Sequence, residues 1–132
     1  MRKMVSTFCF AALLVAAQAQ SAPLDANFEH AMEEYGRGNY WAAYTEFTEA
    51  GKEGHVRSQE AAGLMLLAGP ALYGRELKQD RERAMYWLRR AAQAGSPVAL
   101  HIVCGEEART GSATVAECPG PRQVGAADLR ER

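Results

Sequence analysis

The chain has 132 residues, of which 48 % are hydrophobic and 23 % charged, and its net charge is −1. That length suits one modest domain with its own core. A charge so close to balance gives no electrostatic reason to expect a nucleic-acid partner.

Residues 1–19 read as a secretory signal peptide. Arg2 and Lys3 supply the positive start, residues 8–17 a short apolar run, and Ala17-Gln18-Ala19 the small residues a signal peptidase requires. A membrane anchor would need about 20 continuous apolar residues, more than this run contains. Cys9 stands at the front of the run rather than behind it, which argues against a lipid-anchored cysteine. The expected product starts at Gln20 and is periplasmic or secreted. No later segment is apolar enough for stable membrane insertion, and Cys104 and Cys118 remain in a compartment that permits disulfides.

The rest of the chain reads as helices. Phe28, Ala31, Met32 and Tyr35 form one stripe over 24–35, and Gly36-Arg37-Gly38 ends it. Residues 39–53 follow almost at once, with Tyr40, Ala43, Tyr44, Phe47 and Ala50 inward, so these two helices should be antiparallel neighbours. A third helix spans 56–68, and 70–79 reads as a loop. The fourth is the most strongly patterned. Ala84, Trp87, Leu88, Ala91 and Ala92 share one face, Asp80 is placed to cap its start, and Gly95 suits its left-handed end. Pro97 can open a fifth helix running to about residue 108. The segment 111–132, rich in Gly, Ser and Pro, reads as a flexible tail.

The pattern occurs twice, at an offset of 41 residues: Asn39 with Asp80, Ala43 with Ala84, Phe47 with Leu88, Ala50 with Ala91, Gly54 with Gly95. Such self-similarity marks stacked helical pairs. Ser58, Gln59, Gly63 and Gly69, followed by Ala84, Trp87, Ala91, Ala92 and Gly95, make the chain resemble a Sel-one-like repeat, a helical-hairpin relative of the tetratricopeptide repeat. Ala62 and Leu66 depart from that pattern, where the repeat has Leu and Tyr, and the 70–79 loop is longer than usual. Residues 35–43 resemble the shorter leading hairpin that precedes such repeats in exported bacterial proteins. The resemblance implies an all-α fold, a short solenoid of antiparallel hairpins with about five helices over 20–110. It also implies a scaffold that binds a protein or peptide. Gly63 and Ala91-Ala92 would let helix axes approach, with Trp87 and Leu88 filling the space between hairpins.

Chemistry-bearing patterns are thin. His30, His55 and His101 have no metal-ligand spacing. Glu33-Glu34 and Glu106-Glu107 point about 100° apart on a helix and read as polar faces rather than acid–base pairs. No cofactor is expected and no enzyme. The alternative class is a cell-wall or lactam-directed enzyme of the cysteine-rich secreted repeat type, but Gly63 has no cysteine near it. The basic stretch Arg75, Lys78, Arg81, Arg83, Arg89 and Arg90 is either a salt-bridged surface or a landing site for an acidic partner. Trp41 is either an exposed anchor or a cover for the first hairpin.

A partner surface is expected on the third helix, where Arg57, Glu60, Leu64 and Leu67 lie opposite the packing positions Ser58, Ala62, Gly63 and Leu66. The competing reading has Leu64 and Leu67 extending the core. Cys104 and Cys118 are either bridged, folding the tail back on the last helix, or two free thiols.

Overall fold

The computed structural model describes residues 21–111 and Cys118. The expected signal peptide, and the expected tail apart from Gly111 and Cys118, lie outside the described residues. Within them the chain is all-helical, with α1 Ser21–Gly36, α2 Tyr40–Lys52, α3 Val56–Ala68, α4 Pro70–Tyr73, α5 Arg81–Gln93 and α6 Pro97–Thr110. None of these helices is long and apolar enough to cross a membrane.

Two differences from the sequence reading have local causes. Helix α1 begins before residue 24, because Pro23 falls in its first turn, where no backbone N–H is required. The 70–79 segment, expected as a loop, opens with α4. Pro70 takes the first helical position, and the Tyr73 N–H bonds the Gly69 carbonyl at 3.1 Å. The remainder of that loop is tied back onto α3. Asp80 N–H reaches the Leu66 carbonyl at 3.1 Å, Gln79 Nε2 reaches the Leu67 carbonyl at 2.6 Å, and Leu77 is 1 % exposed. Any Cβ on Gly69 would lie 2.6–2.7 Å from Gln79, so this crossing requires glycine.

The turns between long helices are built alike. His55 N–H bonds the Ala50 carbonyl at 3.1 Å, and 41 residues later Ser96 N–H bonds the Ala91 carbonyl at 2.9 Å. Gly54 and Gly95 hold φ of 99° and 97° between them. The side chain after each glycine caps the next helix: His55 accepts from Ser58 N–H and Ser96 from Ala99 N–H. Asp80 does the same for α5, accepting from Arg83 N–H at 2.9 Å. Turns this short reverse the chain, and α1 packs on α2, α2 on α3, α3 on α5, and α5 on α6.

Helix α5 joins two cores. Ala84 and Trp87 enter the first, with Phe28 and Ala31 of α1, Phe47 of α2 and Met65 of α3. Met85, Leu88, Ala91 and Ala92 enter the second, with Ala99 and Val103 of α6. The α3–α5 approach is close because Gly63 has no side chain: a Cβ there would stand 2.7 Å from Leu88 Cγ and 3.1 Å from the Ala84 carbonyl oxygen. Cys104 and Cys118 are joined, with sulfurs 2.12 Å apart, and Cys118 packs against the second core.

Candidate functional site

Helices α2 and α5 are separated by an open groove of about 740 Å³. From α2 it takes Trp41, Tyr44, Thr45, Thr48 and Lys52, which fall at i, i+3, i+4, i+7 and i+11 and so form one stripe. From α5 it takes Arg83, Tyr86 and Trp87, with Asp80 at the helix start. Tyr44 and Trp87 are buried and form the floor, whereas Trp41 is 53 % and Tyr86 52 % exposed and stand as rims. Each rim ring rests on a floor ring, Trp41 on Tyr44 at 5.8 Å and Tyr86 on Trp87 at 5.1 Å between centroids. Arg90 fixes the Tyr86 side, donating to its hydroxyl at 3.0 Å and lying 5.6 Å from the Trp87 ring centroid. Charges of both signs border the apolar floor, with Arg83 3.7 Å from Asp80. Lys52 lies eleven positions beyond Trp41 along α2, a rise of about 16 Å, enough for about five residues of extended peptide.

A second aromatic group lies where α1, α2 and α4 meet. Tyr35, Tyr40 and Tyr73 pack edge to face at 5.1–5.8 Å, and the Tyr35 and Tyr73 hydroxyls are 3.2 Å apart. Burial and the hydrogen bond with Tyr35 push the Tyr73 phenol up to about 12, so it stays neutral at physiological pH.

At the start of α3, a serine, a histidine and an aspartate fall in line. Ser58 Oγ is 2.7 Å from His55 Nδ1, and Asp25 Oδ1 is 3.1 Å from His55 Nε2. These residue types are those of a hydrolytic triad, but the geometry is that of a helix cap. Nδ1 also receives the Ser58 backbone N–H at 3.3 Å, which leaves the ring proton on Nε2, facing Asp25. Ser58 is fully buried, so no substrate carbonyl reaches its hydroxyl in this conformation.

Of the stripe expected on α3, Arg57 is exposed and Glu60, Leu64 and Leu67 are half-buried. Both leucines pack against the second core, to which α5 contributes Met85, Leu88, Ala91 and Ala92, and Leu67 also packs against the first. Glu60 accepts from Ser96 Oγ at 2.5 Å, linking α3 to the turn before α6. Arg57 is exposed but occupied, its guanidinium 4.1 Å from the Phe28 ring centroid and 3.8 Å from Glu29. The acidic pairs are similarly engaged. Glu33 and Glu34 both meet Arg37, and Glu106 binds Arg81 and Arg109, whose hydrogen bonds hold its carboxyl down at about 2. In the basic stretch Arg81, Arg83 and Arg90 thus have partners within the chain. Among the described residues no three His, Cys, Asp or Glu side chains converge as metal ligands.

Sequence reading singled out Trp41 but missed Tyr86 and the groove itself. The available signal was an aromatic at 86 lying off the inward stripe of α5, beside the inward Trp87. No family model matches the chain, and no match was found among curated proteins or solved structures.

Proposed function

We propose that this chain is an exported, non-enzymatic scaffold of the Sel-one-like type, with hairpins stacked as a short solenoid over 20–110, and that it captures a polypeptide segment in the α2–α5 groove. The groove carries the reading: two half-exposed aromatic rims stand over an aromatic floor, with mixed charge at the edges. Exposed Trp and Tyr beside a preformed apolar floor are the usual anchors of protein recognition. Stacking of like hairpins is supported by the repeated turn, in which the same hydrogen bond and the same glycine conformation recur 41 residues apart. Export is supported by the charge, apolar run and small-residue pattern of residues 1–19.

The test is selection of a displayed peptide library on the protein, scored against a Trp41→Ala/Tyr86→Ala variant shown to melt like the wild type. Peptides sharing an apolar or aromatic anchor should emerge and lose about tenfold or more in affinity to the variant. Recovery of the same peptides by both proteins, or of none by the wild type, refutes the groove. Intact mass of protein from an envelope fraction should give an N-terminus at Gln20, and a full-length cytoplasmic chain refutes export.

A further inference from the structure

Beside the groove, and sharing only Trp41 with it, a separate hollow of about 320 Å³ opens at the start of α2. It is lined by Gly38 and Asn39 of the turn, Tyr40, Trp41 and Ala42 at the start of α2, Tyr73 of α4, and Glu76. No lysine or arginine lines the hollow among the described residues; Lys78 and Arg83 line the adjoining hollow that shares Trp41 and Glu76 with it, where Asp80 offsets one of them. Glu76 is exposed and makes no ion pair or hydrogen bond with any described residue. The rings are held in place: Tyr40 and Tyr73 brace each other edge to face at 5.1 Å, and Trp41 leans on Tyr44.

The balance of charge selects the ligand. Aromatic faces are negative and attract cations, most strongly for Trp. Glu76 adds a full negative charge. The start of α2 opposes them with its free N–H groups, but a helix terminus is equivalent to only about half a positive charge. The hollow therefore favours a cation. A hard metal ion needs six or so oxygen ligands, and one carboxylate does not supply them. A primary ammonium has three N–H groups to satisfy, whereas a quaternary ammonium has none and is at ease against rings.

We propose that the hollow formed by Tyr40, Trp41, Tyr73 and Glu76 binds an organic cation of the trimethylammonium class. Such a group occurs on free choline-like solutes and on choline lipid headgroups, and the hollow recognises what they share. The site does not depend on the groove reading, since Tyr73 and Glu76 do not line the groove and Tyr86 does not line the hollow.

The probes are choline and its neutral carbon isostere, with a tert-butyl group in place of trimethylammonium, titrated into the ¹⁵N-labelled protein. Choline should shift the Trp41 indole resonance saturably, with the isostere binding about tenfold or more weakly. Glu76→Gln should weaken choline severalfold and Trp41→Leu should abolish the shift of the choline methyl signal. Both substitutions are at exposed positions and should melt like the wild type. Tyr86→Ala should leave choline binding unchanged, so loss of peptide capture and loss of cation binding are separable. Phosphatidylcholine vesicles form the second arm: association competed by choline assigns the site to headgroups, and binding of choline without vesicle association assigns it to a solute. Equal affinity for choline and isostere, no saturable shift, unaltered binding by both variants, or acetate binding in place of choline would overturn the proposal.

Discussion

Adding one methyl group at Gly63 sets two effects against each other. Glycine in a helix interior is about 1 kcal/mol less favourable than alanine, so Gly63→Ala should stabilise α3 if space allows. Space does not allow it. The new Cβ would fall 2.7 Å from Leu88 Cγ and 3.1 Å from the Ala84 carbonyl oxygen. The first contact is the branch point of a side chain with no exposure, and the second is backbone inside α5, so neither yields cheaply. Overpacking of this kind costs about 1–3 kcal/mol. With both contacts stiff the upper half applies, and the net loss should be about 1–2 kcal/mol, or about 4–8 °C in Tm per kcal/mol. Leu88→Ala alone should cost about 2–5 kcal/mol through the cavity it leaves. In the double variant the methyl added by Gly63→Ala enters part of that cavity, so the loss should fall short of the sum by more than the roughly 0.3–0.5 kcal/mol within which independent sites add. Thermal and denaturant melts of the four proteins decide it. A Gly63→Ala protein more stable than wild type, or additive losses in the double, would show that α3 and α5 do not approach as described.

Trp87 is 5 % exposed and seated against Gly51, so Trp87→Ala should lose about 3–5 kcal/mol in denaturant melts and flatten the groove floor. Glu106, hydrogen-bonded by Arg81 and Arg109, has its pKa lowered from 4.5 to about 2. A depressed carboxyl pKa stabilises the fold fully above its unfolded value and loses that contribution as pH falls through the folded one. The wild-type advantage over Glu106→Gln should therefore be nearly constant above about pH 6, shrink as pH falls through about 2 and be gone by about pH 1. A difference that does not shrink between about pH 4 and about pH 2 refutes the linkage. Thiol reagent under denaturing, non-reducing conditions should label neither Cys104 nor Cys118, whereas reduction should expose both and lower stability by about 3 kcal/mol for a 14-residue separation.

Helix placement was legible because it is written in local chemistry. The bounds of α3 fall where Gly54-His55 and Gly69-Pro70 punctuate the chain, and α5 starts after the Asp80 cap that its position announced. Its buried stripe of Ala84, Trp87, Leu88, Ala91 and Ala92 follows from periodicity alone. Local chemistry also explains the one short helix that sequence reading left out, since a single turn after Gly69 has no periodicity to detect.

Which surfaces stay open is a different kind of property. Leu64 and Leu67 sit opposite the packing face of α3 by helical geometry, and whether that opposite face is solvent or core depends on how the helices of the second core, further along the chain, are placed against it. Among the described residues the sequence determined the long helices, their turns, their caps and their inward faces, because each of these depends on neighbours within one or two turns. Only the tertiary structure decided that those leucines pack against the second core, that α2 and α5 stand apart to leave Trp41 and Tyr86 facing one groove, and that exposed Asp25 meets the His55 cap over buried Ser58. Each of those outcomes depends on distances between helices, which no pattern along a single helix encodes.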